Sequence, residues 1–243
     1  MSESKEVKLT GRVRVFAGCL YNHDYLWFSS NEISKTSTTI PFLHNYALSY
    51  ALSQYERGVA IGSKPTYALD LEQMPLYATP ASIVHAERTT ITFNALDSIT
   101  MRTDIKPAVN TPDIGKRVYL NPIFERQEIE KPDKGYQFYV FTFDNAVPRA
   151  VFRLGKKGCA MRVRWTELEW AKAVWRDTPV RPTHPVNPLD VSGKIVRFDP
   201  VMIPPHLLMR VADIQNDWFI FRGSQHVVHI PKRVAQRIGL ILQ

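Results

Sequence analysis

Residues Val151 to Trp165, VFRLGKKGCAMRVRW, constrain the fold more than any other stretch. A strand breaks at Gly155-Lys156-Lys157-Gly158 and resumes with Met161, Val163 and Trp165 alternating with Arg162 and Arg164. A period of two puts apolar side chains on one face and guanidinium groups on the other, the pattern of a β-hairpin with a basic side. From Asn145 to Thr166 there are six basic residues (Arg149, Arg153, Lys156, Lys157, Arg162, Arg164) and no acidic one. Glycine at both ends of the turn lets the backbone approach a ligand, because no Cβ stands in the way. Lysines between those glycines and arginines on the following strand suit an anionic backbone such as RNA phosphate. The plainer alternative is a basic hairpin that faces water.

Charge over the whole chain points the same way. Across 243 residues, 31 Lys and Arg stand against 23 Asp and Glu, a formal net charge of +8. That excess favours a polyanionic partner. Hydrophobic residues make up 44%, enough to bury a core. No apolar run has the roughly 20 residues a membrane helix needs. MSESKEVK at the start lacks the apolar stretch of a signal peptide. Cys19 and Cys159 are the only cysteines, far apart and without metal spacing, which suits a reducing compartment. A cytoplasmic protein is expected.

Strands are expected at Val7 to Leu20, Thr89 to Leu96, Ile99 to Thr103, Gln137 to Phe143 and Lys194 to Phe198. QFYVFTF is apolar enough for the middle of a sheet. Tyr25 to Phe28 is a short apolar continuation, Asn31 to Thr39 a polar loop, and Gly62 to Pro80 an irregular stretch. Pro41 is expected to open a helix, PFLHNYALSYALSQYER, ended by Gly58. Further helices are expected over Thr166 to Arg176, over His206 to Ala212, and after Pro231. Pro179, Pro182, Pro185 and Pro188 recur every third residue and read as a polyproline-like strap over the surface. The order of elements fits an α+β domain on an antiparallel sheet, most simply a ferredoxin-like βαββαβ core with insertions. Its second helix would be Thr166 to Arg176. The expected division is residues 1–177 for that core, 178–192 for the strap, and 193–243 for a C-terminal segment packing on the core.

Chemistry is sparse. No HExxH, CxxC, phosphate-binding loop or G-x-S-x-G elbow occurs. His226 and His229 stand three apart in a strand-like segment and would face opposite ways. A metal-independent ribonuclease needs only a His or Tyr base and a cation for the developing charge, and His44, Tyr46 and Lys156 are candidates.

PFLHNYALSYAL followed about a hundred residues later by VFRLGKKGCAMRVRW resembles the RAMP superfamily of CRISPR proteins, and more narrowly the type I-D Cas-five subunit of Cascade. The resemblance implies a ferredoxin-like core, an inserted β-hairpin thumb within about 87–130, and a basic face. It implies a non-catalytic subunit that holds the 5′ handle of the crRNA in antiviral defence, with no cofactor. Partners would be crRNA and the backbone and large subunits, with target DNA a further candidate. Precursor-crRNA cleavage is the alternative. By motif, the RNA-binding residues would be Arg153, Gly155, Lys156, Lys157, Gly158, Arg162 and Arg164, with His44 and Tyr46 from the helix motif. Arg88, Arg102, Lys106, Lys116 and Arg117 would come from the thumb. Tyr119, Phe124 and Tyr136 are candidates for reading bases.

Overall fold

The computed structural model describes residues 12–33, 36–53, 66–94, 114–123, 135–223 and 225–240. In chain order the elements are β1 (Val13–Asn22), β2 (Asn31–Ile33), β3 (Thr36–Thr38), β4 (Phe42–Leu43), α1 (Asn45–Ser53), α2 (Tyr67–Gln73), β5 (Leu76–Ala78), β6 (Ala81–Ser82), β7 (Arg88–Asn94) and β8 (Ile114–Leu120). There follow β9 (Tyr136–Phe143), β10 (Val151–Leu154), β11 (Cys159–Leu168), β12 (Trp170–Val180), a 3-10 turn (Pro188–Asp190), β13 (Ile195–Val201), β14 (Leu208–Phe221), β15 (Val228–His229) and α3 (Lys232–Arg237).

These make an α+β protein with mostly antiparallel pairing and few helices. The main sheet runs β10-β11-β1-β9-β6-β4, with β5 also on β9. β9 lies inside it, as its composition predicts. Alternation sends Tyr139, Phe141 and Phe143 to one core and Tyr136, Phe138 and Val140 to another. α1 packs on β5 and β10, and its Leu48 and Leu52 fill the second of these cores. The opposite face meets Phe219, Val228 and Val234 from a second sheet, ordered β12-β14-β13 with β15 on β14, and from α3. A third sheet, β2-β3-β8-β7, contains the antiparallel β7–β8 pair and the parallel β3–β8 pair.

Several expectations are corrected. Pro41 does not open the first helix: Phe42 and Leu43 still pair with Ser82 and Ala81, and α1 starts at Asn45. His44 takes the capping position, its Nδ1 accepting the Tyr46 N–H at 3.2 Å. Asn31 to Thr39 holds two short strands rather than a loop, and the stretch before Pro80 contains α2 and β5. Thr166 to Arg176 is not a helix. It ends β11 and begins β12, because Trp170 through Arg176 pair with β14 and Trp170 packs on Phe219. Helical spacing in TELEWAKAVWR loses to that cross-strand pairing. The helix expected over His206 to Ala212 is likewise absent: Leu208 to Ala212 is extended, with Leu208 opposite Val201 and Ala212 opposite Phe198.

The proline-rich segment does not ride over the surface. His184, Val186, Asn187 and Asp190 are buried, and Val186 exchanges backbone hydrogen bonds with Met209. The second sheet begins at Trp170, so the expected boundary at 177/178 falls inside β12. Residues Gly58 and Ile99 to Thr103 lie outside the described residues.

Candidate nucleic-acid interface

The basic hairpin forms as its pattern requires. Val151 stands opposite Arg162, Phe152 opposite Met161 and Leu154 opposite Cys159. Phe152, Leu154, Met161 and Val163 enter the core, while Arg153, Arg162 and Arg164 are exposed. β11 continues onto β1, where Arg162 faces Tyr21 and Arg164 faces Cys19. Lys156 and Lys157 project from the turn and are exposed.

The two glycines have separate reasons. Gly155 (φ 81°) and Gly158 (φ 63°) both take the left-handed conformation. At Gly155 a Cβ would also stand 3.0 Å from the Trp27 carbonyl oxygen and 3.0 Å from Leu26. The close approach that glycine allows here is therefore to the chain's own backbone. Lys156 N–H donates to that same carbonyl at 3.0 Å. Arg153 closes the turn from the other side, donating to the Gly158 carbonyl at 2.8 Å. The corner is thus docked on residues 26–27, and its lysine side chains are what it offers to solvent.

Docking on Trp27 brings in the third sheet. Arg117 of β8 lies over the Trp27 ring, 4.1 Å from its centroid, and Lys156 lies 5.1 Å from it. Two cations from segments about forty residues apart in sequence share one aromatic neighbour. Lys116, the next residue of β8, is exposed. Arg88 is also exposed, at the start of β7. Arg102, Lys106 and Phe124 lie outside the described residues.

The helix motif goes elsewhere. His44 and Tyr46 are each 4% exposed and belong to the interior, so they are corrected as candidate RNA contacts. The His44 ring packs against Tyr46 (4.8 Å between centroids) and His206 (4.6 Å). Burial, with His206 adding to it, pushes His44 down to about 3. Asn45 donates to Tyr77 Oη at 2.8 Å and to Asp190 Oδ2 at 3.2 Å, and Tyr77 donates to Asp190 Oδ1 at 2.7 Å. Asn187 completes the set by donating to Asn45 Oδ1 at 3.2 Å. Burial lifts Asp190 to about 7 against the pull of Tyr77 and Arg233. These polar groups knit α1 and β5 to the proline-rich segment, which explains why that segment is inside.

Tyr136 is also corrected: it is fully buried, and burial raises its hydroxyl pKa. Tyr119 is half-buried beside Trp27, with ring centroids 6.3 Å apart. His226 and His229 do face different partners. His226 Nδ1 meets Tyr139 Oη at 2.8 Å, whereas His229 stacks on His184. Among the described residues no cluster of His, Cys, Asp or Glu could hold a metal ion. No helix among them is long and apolar enough to cross a membrane.

Sequence reasoning passed over Trp27. Its setting, YLWF after a polar NHD, offers one usable signal: a tryptophan just past the end of a strand, in a chain with an excess of cations.

An α+β protein carrying a carboxylate-poor hairpin at the edge of its main sheet is the class these features define. The chain belongs to the family of type I-D CRISPR-associated protein Cas5/Csc1, whose family model matches residues 13–238. The resemblance carried by the two motifs is thereby borne out. No curated protein matches the chain.

Proposed function

We propose that this protein is the non-catalytic crRNA-binding subunit of a type I-D effector complex, holding the 5′ handle of the crRNA at one end of the assembly. The observation that carries the reading is the docked corner: Lys156 and Lys157 are presented to solvent on a turn fixed to Trp27, with Arg117 beside them. Fixed cations suit phosphates, which position a nucleic acid without reading its sequence. Arg153, Arg162 and Arg164 extend the basic surface along the hairpin. β7 and β8 form the base of the thumb in this reading. The neighbouring backbone and large subunits would contact the remaining surface, with target DNA a further candidate.

The core supports a ferredoxin-like ancestry. β1, α1, β5 with β6, and β9 supply βαββ, and β11 returns antiparallel beside β1. In chain order β10, an edge strand paired with β11, takes the place of the second helix of that plan. Burial of His44 and Tyr46 disfavours the ribonuclease alternative. His44 is enclosed by His206 and Tyr46, while Lys156 lies over Trp27.

The test is copurification from the host followed by RNA sequencing, with a salt titration of the purified chain on the recovered RNA. A handle-bearing crRNA is expected. The double variant Lys156→Ala/Lys157→Ala should lower the slope of log affinity against log salt by about 1.4, at about 0.7 per lost phosphate contact on a single strand. An unchanged slope rules out the corner. Specific cleavage of repeat RNA in EDTA would replace this reading with the nuclease.

A further inference from the structure

The aromatic residues beside the basic corner form a second feature. Tyr25 is 40% exposed, and its ring meets Tyr119 edge-on with centroids 6.0 Å apart. Tyr119 in turn leans on Trp27. Arg117 and Tyr119 share one face of β8, being two apart on a strand. A bridge between Leu26 and Leu120, with backbone hydrogen bonds of 3.0 Å in both directions, holds the two segments in register. The nearest carboxylate in sequence, Asp24, accepts the Tyr25 N–H at 2.7 Å. An exposed ring is thus joined through Tyr119 to a tryptophan that carries two cations.

We propose that Tyr25, Tyr119, Arg117 and Lys156 form a single-stranded RNA subsite. A base stacks on Tyr25, the adjacent phosphates meet Arg117 and Lys156, and Trp27 acts as the positioning residue that sets their spacing. The inference rests on the RNA-binding reading above and adds to it a stacking residue and a joint between the hairpin and the third sheet. Single-strand binders combine these two parts, cations that track the backbone and aromatic faces that take bases with little regard to sequence. Tyr25 is the right residue for the first contact because it is the most exposed of the three aromatics: Tyr119 is half-buried and Trp27 is buried.

The probe is a fluorescein-labelled oligouridine of about twelve nucleotides, within the usual site size of such surfaces, bound to the full chain over a salt series. Tyr25→Leu should weaken binding about tenfold without changing the salt slope, because it removes a stacking face and no charge. Tyr25→Phe should bind as the parent does. Arg117→Ala and Lys156→Ala should each lower the slope by about 0.7. If the parent binds and Tyr25→Leu binds equally well, the stacking site is wrong while the RNA-binding reading stands. Unchanged slopes for both cation variants would overturn the shared site as well. A parent that binds neither oligouridine nor its copurified RNA would sink both readings together.

Discussion

Two polar clusters were built from the two most conspicuous motifs in this chain, and they met opposite fates. The hairpin motif became a surface: its cations are exposed, and its turn docks on Trp27 through the Lys156 backbone N–H, with the Lys156 ammonium over the Trp27 ring. The helix motif became an interior: His44, Asn45 and Tyr46 are buried, and Asn45 exchanges hydrogen bonds with Tyr77, Asp190 and Asn187. A polar residue in a motif therefore does not by itself indicate a ligand. What separates the two cases is charge. Lysines stay in water, since burying a cation is expensive, whereas amides, a hydroxyl and a carboxyl that burial pushes toward its neutral form can satisfy each other inside.

The largest expected effect lies in the interior cluster. Asp190 has its pKa raised from 3.8 to about 7 in the folded protein. The folded state holds that proton more tightly, so the associated stability is complete below pH about 4 and is lost as pH rises through about 7, up to roughly 4 kcal/mol. Urea unfolding across that range should show it, and Asp190→Asn should flatten the profile. A parent whose stability rises with pH over this window would show that the cluster is not sealed. Next, Asn45→Ala leaves Tyr77, Asp190 and Asn187 short of partners and should lose about 2–4 kcal/mol in the same assay. Oligouridine affinity of the folded fraction should be unchanged, because the side-chain partners of Asn45 are Tyr77, Asp190 and Asn187, none of which is a proposed RNA contact.

The corner should respond less in stability. Gly155→Ala forces a left-handed Ala against the Trp27 carbonyl and should cost about 1–2 kcal/mol. Thermal unfolding measures this, and a neutral result would mean the turn is not docked as described. Smallest of all, Lys156→Ala/Lys157→Ala should stay within about 0.5 kcal/mol of the parent. Its effect belongs in the salt titration instead. A strongly destabilised double variant would erase the contrast between the two clusters.

How much was legible follows from how local each cause is. Alternation in Met161–Trp165 and the apolar run of β9 are decided within a few residues, and both strands formed where the pattern puts them. The helix starting at Asn45 was legible in its apolar spacing but not in its first turn, because Phe42 and Leu43 are held extended by Ser82 and Ala81, about forty residues away. β12 was unreadable for the same reason. TELEWAKAVWR has helical spacing, and only β14, which follows some forty residues later, makes it a strand. At the site, the cations were visible as a charge run, but their common neighbour was not. Trp27 acquires meaning only when the Gly155 turn and β8 arrive beside it. The proline period read as polyproline suggested exposure, and the buried Asp190 network, assembled from three separate segments, decided otherwise.

β14 pairs with β12, β13 and β15, so every hydrogen-bonded ladder of the second sheet includes it. During synthesis β12 leaves the ribosome with no mate and must wait until residue 221 has emerged. A truncation that removes β14 leaves β12 and β13 without their mate at once, a state prone to self-association. The last quarter of the polypeptide is therefore not an optional appendage to be trimmed for expression, but the piece on which the whole second sheet waits.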